Sequence, residues 1–208
     1  GKQIEEILNN PANAVELRGS EFVSPQVGDE LTEQGGLAML FALIMIMIYI
    51  LFRFQWKFSI GAVLALIHDV LITMGVFSLF QLSFDLAVLA AILAVVGYSL
   101  NDTIVVFDRI RENFRLRRKS ETLDVVNGSI NQTIRRTLIT SGTTLLVLLA
   151  LYIIGGKSLE GFSLALIIGV IIGTYSSIYV ATTSVLFLDV STTDLMPVKQ
   201  EKIDDGMP

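Results

Sequence analysis

Apolar residues run through this chain in five windows that are long enough to cross a membrane. The hydrocarbon core of a bilayer is about 30 Å thick, so a helix needs about 20 mostly apolar residues to span it. The windows cover residues 36–54, 58–80, 86–107, 137–156 and 161–188. The pattern therefore predicts an all-α polytopic membrane protein whose transmembrane bundle occupies residues 36–188.

The polar connections between the windows predict the orientation of the bundle. Lysine and arginine concentrate in connections 53–57 and 108–136, whereas connections 81–85 and 157–160 hold only Lys157 between them. The positive-inside rule places the two basic connections in the cytoplasm. The N-terminal segment is then outside and the C-terminus is in the cytoplasm.

The second basic connection, 108–136, is more than a loop. Its apolar residues recur at helical spacing, and they are Leu123, Val126, Ile130, Ile134 and Leu138. Such spacing predicts a cytoplasmic amphipathic helix that leads into the fourth window.

The two ends of the chain differ from the bundle. Residues 1–35 are too few for an independent core, so they are expected to be the remnant of a larger external domain and the lead into the first span. Residues 189–208 are polar and acidic, and we expect them to form a disordered cytoplasmic tail.

The composition agrees with a membrane protein and excludes several kinds of site. Of the 208 residues, 52% are hydrophobic, and the mean hydropathy is +0.66, which is too apolar for an ordinary soluble domain. The chain has no cysteine and one histidine, so neither a metal site nor a cofactor is expected. Its arginines are mixed with acids and lie against a membrane, so we expect no nucleic-acid partner.

A polar triplet, Ser99, Asn101 and Asp102, interrupts the third window. An ionisable residue inside a membrane helix costs roughly 2.5–3.5 kcal/mol on insertion scales, and it commonly marks a proton relay. Asp102 lies about 9 Å inside the cytoplasmic end of its helix, counted back from Asp108. Two roles are possible for Asp102. We favour the interpretation that its carboxylate binds and releases a proton over the alternative that it is a structural acid with a fixed partner.

Arg136 is the natural partner of Asp102, because it lies just before the fourth window and enters the membrane from the same side. A nearby arginine favours the ionised acid, and its departure favours protonation, as a switch requires. The alternative is an arginine whose charged end reaches the membrane surface. For Arg136 the two interpretations are balanced, whereas Arg135 fits the surface role better.

His68 and Asp69 lie near the middle of the second window. They are expected either to serve a proton relay or to be hydrogen-bonded packing residues. Two membrane aspartates also raise the possibility of an intramembrane aspartyl protease. However, neither Asp69 nor Asp102 has the Tyr-Asp or Gly-x-Gly-Asp context of that class, so we do not expect an enzyme.

Small residues are frequent in the last two windows, and they allow membrane helices to approach closely. The clearest runs are Ser141, Gly142, Thr143 and Thr144, and then Gly169, Gly173, Ser176 and Ser177. Helix packing alone accounts for most of them.

Residues 97–113 read GYSLNDTIVVFDRIREN and closely resemble the signature of the SecF family. Three further segments also resemble that family, namely EFVSPQVGDEL at 21–31, LIHDVLIT at 66–73 and INQTIRRTLITSGTTLL at 130–146. The resemblance implies the membrane half of the RND (resistance–nodulation–division) superfamily, a six-helix bundle with an α+β periplasmic domain after its first helix. Five windows are present here, so residues 1–35 would be a remnant of that periplasmic domain.

The resemblance also implies a function. Members of the family pair with SecD in the bacterial inner membrane and use the proton motive force to promote the export of unfolded chains through the SecYEG channel. YajC, YidC and membrane lipid are further expected partners. Carried over to this sequence, the proton-coupling pair would be Asp102 and Arg136, and the supporting polar residues are Ser99, Asn101, Asp69 and His68.

Two other functions remain open at this point. The chain could be half of an RND-type pump for lipids or small molecules, which would share the membrane acid. It could also be a scaffold that holds partner subunits without moving protons, in which case Asp102 would be dispensable.

The arginine asymmetry gives a testable topology. In a Ser120→Cys variant, which carries the only cysteine of the chain, we expect an impermeant maleimide to label position 120 only after the cytoplasmic side is opened. Labelling from outside intact cells would refute the predicted orientation.

Overall fold

The structure is a computed structural model, and it describes residues 25–54, 56–117, 120–188 and 190. The described residues form six helices and no strand. The helices are α1 (Pro25–Arg53), α2 (Trp56–Leu79), α3 (Leu86–Leu116), α4 (Thr122–Ile154), α5 (Lys157–Ile178) and α6 (Val180–Phe187). Of the predicted α+β remnant and lead-in at residues 1–35, residues 25–35 belong to α1 and the others lie outside the described residues, as does the acidic tail apart from Val190.

The chain divides into two compact units, residues 1–37 and 38–208. The described part of the first unit is the N-terminal half of α1, and the second unit holds the rest of the bundle. Within the described residues, five segments are long and apolar enough to cross a membrane, with α5 and α6 counted together as one. This confirms the all-helical class and the expectation of five apolar helices.

The connection between the third and fourth spans is much shorter than the sequence pattern indicated. α3 continues past residue 107 to Leu116 because Ile110 and Phe114 extend its buried face. α4 begins at Thr122 and runs without a break into the fourth window. The amphipathic segment and the fourth span are therefore one helix.

The fifth window contains a break that its apolar pattern does not reveal. α5 ends at Ile178 and α6 starts at Val180, with Tyr179 between them. The Thr182 hydroxyl donates to the carbonyl groups of Ile178 and Tyr179. Side-chain bonds of this kind compete with the helical ladder and often bend a helix.

A stripe of small residues on α5 allows α3 to approach closely. The residues recur every four positions, and they are Gly161, Ala165, Gly169, Gly173 and Ser177. A side chain built at Gly161 would lie 3.0 Å from Val88 of α3, and one at Gly173 would lie 3.0 Å from Ser99 Cβ. Since lipid provides no hydrophobic force between helices, this close packing is what holds the pair together.

The buried face of α4 mixes small hydroxyl residues with apolar ones. Its inward hydroxyl residues are Ser129, Thr133, Thr137 and Ser141. Of the predicted apolar face, Val126 is buried, whereas Leu123 and Leu138 are more than half exposed. In a membrane the large apolar side chains face lipid, and small polar residues serve the contacts between helices.

Two apolar clusters lie toward opposite ends of the bundle. One includes the aromatic rings of Phe54, Phe58 and Phe107. The other is built around Leu66 and Ile92. The polar residues described below lie between these clusters along α3.

The stripe on α5 leads to a stability prediction. A Cβ at Gly169 would overlap a methyl group of Val95, and it would lie 2.7 Å from Cγ1 and 2.9 Å from Cβ of that residue. We therefore expect Gly169→Ala to lower the free energy of unfolding by about 1–3 kcal/mol, the usual cost of overpacking. Detergent-solubilised protein, unfolded with SDS and followed by circular dichroism, provides the measurement.

The matched control is Gly142→Ala on α4, where no atom lies within 4 Å of the new methyl group. That variant should be as stable as the parent or slightly more stable, because alanine favours helices. Equal stability of the two variants would contradict the close approach of α3 and α5.

Candidate functional site

Asp69 of α2 is completely buried, and each of its carboxylate oxygens has a partner. The Ser99 hydroxyl of α3 donates to Oδ2 at 2.5 Å. The His68 Nδ1 atom lies 3.1 Å from Oδ1. A buried acid with both oxygens engaged is a fixed part of the structure around it.

A chain of hydroxyl groups continues from Ser99 to α5. The Ser177 hydroxyl donates to the Ser99 carbonyl oxygen at 3.1 Å. Ser177 Oγ also lies 2.9 Å from Thr103 Oγ1. Since the single proton of Ser177 is used on the carbonyl, Thr103 is the donor in this second bond. The resulting polar cluster, Asp69, Ser99, Thr103 and Ser177, joins α2, α3 and α5.

The structure brings together three of the four supporting residues expected from the sequence. Ser99, Asp69 and His68 are in contact, and the His68 ring stacks at 6.5 Å on Tyr175 of α5. Asn101 is exposed on the opposite side of α3 and is not part of this cluster.

Asp102 is also buried, with only 4% of its surface exposed, but its environment differs from that of Asp69. Its Oδ2 atom has no hydrogen-bond partner among the described residues. It lies one helical turn beyond Ser99 on α3, next to Thr103 of the polar cluster. A buried carboxylate oxygen without a partner is costly and therefore points to a function rather than to packing.

Arg136 of α4 is exposed and lines a cleft between α3 and α4 with a volume of about 240 Å³. The α3 lining includes Val105, one turn from Asp102, and then Asp108, Arg109 and Glu112. The cleft thus reaches to within one helical turn of Asp102, although Asp102 itself does not line it.

Arg136 is the arginine that the sequence analysis paired with Asp102. The two side chains form no ion pair within 4.0 Å in the structure, so their attraction is not locked by direct contact. This arrangement can bind a proton at Asp102 and change the attraction between α3 and α4 when it does so. No group of three metal-ligating side chains occurs among the described residues.

The family model for the protein export membrane protein SecD/SecF, C-terminal, matches residues 3–191. The chain belongs to this SecD/SecF family. Three similar relatives are SecF subunits of protein translocase. The chain is 57% identical over 196 residues to that of Vibrio alginolyticus, 55% over 199 residues to that of Pseudomonas aeruginosa and 49% over 209 residues to that of Escherichia coli O157:H7.

The match covers most of this chain but only part of the relatives. It takes in 94%, 96% and 100% of the chain, and 62%, 64% and 65% of those three proteins. A crystal structure of SecDF, a translocon-associated membrane protein from Thermus thermophilus, aligns with a TM-score of 0.75 at 48% identity. It covers 80% of this chain and 23% of that one. A SecDF structure in a super-membrane-facing form gives the same TM-score at 41% identity, covering 90% and 25% of the two chains.

Sequence reasoning missed the role of several polar residues in the bundle. Ser177 and Gly173 stood out only as small packing residues, and Thr103 did not stand out at all. The one available signal was the four-residue spacing of small residues on α5, which indicates a contact but not the residues on the other helix.

The polar cluster gives a stability prediction. Ser99→Ala removes the hydroxyl group that bonds Asp69, so we expect a loss of about 0.5–1.5 kcal/mol in the free energy of unfolding, in line with interhelical hydrogen bonds in membranes. The SDS unfolding assay described above provides the measurement.

Ser163→Ala is the matched control, because Ser163 is equally buried but its hydroxyl bonds only carbonyl groups of its own helix. A Ser163→Ala loss as large as that of Ser99→Ala would mean that the bond to Asp69 adds nothing to the contact between α2 and α3.

Proposed function

We propose that this chain supplies the membrane bundle of a proton-coupled SecF subunit. Together with SecD, this subunit uses the proton motive force to promote the export of unfolded secretory proteins through SecYEG. The observation that carries the proposal is the buried Asp102 carboxylate, whose Oδ2 atom lacks a partner. The protein resides in the bacterial inner membrane, with residues 108–136 and the C-terminus on the cytoplasmic side, and it has no enzymatic activity.

Asp102 is the proton-binding group. Arg136 is the group whose attraction to Asp102 depends on whether that acid is charged. The ionised acid attracts Arg136 across the contact between α3 and α4. Protonation removes that attraction and favours a second arrangement of the two helices. Arg136 lines the cleft between α3 and α4, and in this proposal the cleft opens toward the cytoplasm.

The energy available per proton limits how far one proton can shift the equilibrium between the two arrangements. One proton that moves inward through 100 mV supplies about 2.3 kcal/mol, before any contribution of a pH difference. This shifts a two-state balance by about 50-fold, but it does not drive a long polypeptide in one step. Export therefore requires repeated cycles.

A SecD-like subunit is the first partner in the proposal, because the similar solved structures are SecDF proteins. α1 and α4 expose large apolar side chains such as Phe41, Met45, Leu146 and Ile153. Lipid or a second bundle covers such faces in a membrane. SecYEG, YajC and YidC are further partners in the proposal.

Asp102→Asn tests the mechanism. Asparagine keeps the size and polarity of the side chain but does not titrate. We expect normal expression and partner binding with loss of the gradient-dependent stimulation of secretion, measured on inverted membrane vesicles with and without an uncoupler. If cells that depend on this protein secrete normally with Asp102→Asn, Asp102 is structural and the protein acts as a scaffold.

Arg136→Ala should have a similar effect, because it removes the charge that responds to Asp102. Arg135→Ala is the matched control, since that neighbouring arginine is equally exposed but does not line the cleft. Equal defects in the two variants would exclude a specific role for Arg136.

A further inference from the structure

A second cleft lies where α1 ends against the polar end of α3, and it has a volume of about 440 Å³. It is separate from the cleft that contains Arg136, although Asp108 and Glu112 contribute to both. Its charged lining consists of three arginines and two acids. The lining residues are Arg53, Asp108, Arg111, Glu112, Arg115 and Leu116.

Both acids of this cleft already have basic partners. Asp108 accepts from Arg53 at 2.9 Å, and Glu112 accepts from Arg109 at 2.9 Å, although Arg109 does not line this cleft. Neither Arg111 nor Arg115 has a carboxylate within 4.0 Å among the described residues. These two guanidinium groups, with Arg53 nearby, repel one another and leave positive charge directed at the cleft.

The depth of the cleft matches that of lipid headgroups. The apolar part of α3, residues 86–107, is about 33 Å long, which is close to the thickness of the hydrocarbon core. Arg111 and Arg115 follow Asp108 by about 4.5 and 10 Å along the helix axis, which places them in the headgroup layer.

Apolar side chains flank the charged groups. Leu116 lines the cleft and is 73% exposed, and Phe52, one residue before Arg53 on the membrane side, is 90% exposed. Acyl chains would cover Phe52, whereas a soluble anion would leave it in water.

We propose that this cleft binds the phosphate headgroup of an anionic phospholipid, with Arg111 and Arg115 as the phosphate ligands. Planar guanidinium groups bind phosphate oxygens through paired hydrogen bonds. Basic pockets between membrane helices on the cytoplasmic side suit such headgroups. The leaflet follows from the proposed orientation, but binding itself does not depend on the proton-coupling proposal.

The test is lipid titration of the full-length protein in complex with its partner subunit, purified and delipidated in mild detergent. Native mass spectrometry would count bound dioleoyl-phosphatidylglycerol, with dioleoyl-phosphatidylcholine as the zwitterionic reference. We expect the parent to retain the anionic lipid more tightly. Arg111→Gln combined with Arg115→Gln should weaken its binding by about 25-fold, or about fivefold for each arginine.

Two control variants distinguish lipid binding in this cleft from attraction of the lipid by surface charge in general. Arg117→Gln combined with Arg135→Gln removes the same charge from exposed positions outside the cleft, and it should bind the lipid as the parent does. Arg111→Lys combined with Arg115→Lys keeps the charge but loses the paired guanidinium hydrogen bonds, so its binding should lie between those of the parent and of the glutamine variant.

The proposal is overturned if the Arg111 and Arg115 glutamine variant binds phosphatidylglycerol like the parent, or if the control pair loses binding equally. It is also overturned if millimolar inorganic phosphate displaces the lipid, because the cleft would then be a site for a soluble anion.

Discussion

The close approach of α3 and α5 is the contact on which the rest of this bundle depends. Between membrane helices, packing replaces the hydrophobic effect as the source of stability, so the distance between two backbones decides how much is gained. The absence of side chains at Gly169 and Gly173 allows Val95 and Ser99 of α3 to pack directly against α5. That distance in turn allows Ser177 to reach the Ser99 backbone and Ser99 to reach Asp69.

The two membrane aspartates show how the same side chain takes different roles in one bundle. Asp69 is bonded at both oxygens, and its partners join α2 to α3. Asp102 is almost as buried, yet one of its oxygens has no partner among the described residues. The oppositely charged residue, Arg136, lies on α4 and does not contact Asp102 directly. The arrangement around Asp69 stabilises one state of the bundle. The arrangement around Asp102 is suited to the proposed change between two states.

The bundle exposes large apolar faces, and it corresponds to only part of its relatives. The chain spans 62–65% of the length of the SecF subunits compared above and about a quarter of the SecDF structures. Its first and fourth spans are mostly exposed along their apolar lengths. The polar end of α3, with its paired and unpaired arginines, provides the charged boundary of this surface.

The sequence by itself determined the number of long apolar helices and the burial cost of a charge at Asp102. Window length and the cost of a charge in lipid depend only on local composition, so the five spans and the choice of Asp102 as the candidate acid followed directly. The position of Arg136 just before the fourth window suggested it as the partner of Asp102. The tertiary structure decided which polar residues meet. Asp69 contacts Ser99 and His68, Asn101 is exposed, and the inward face of α4 includes small hydroxyl residues beside apolar ones. These outcomes depend on neighbouring helices, and hydrophobic periodicity within one helix cannot reveal which side faces protein when both lipid and protein are apolar.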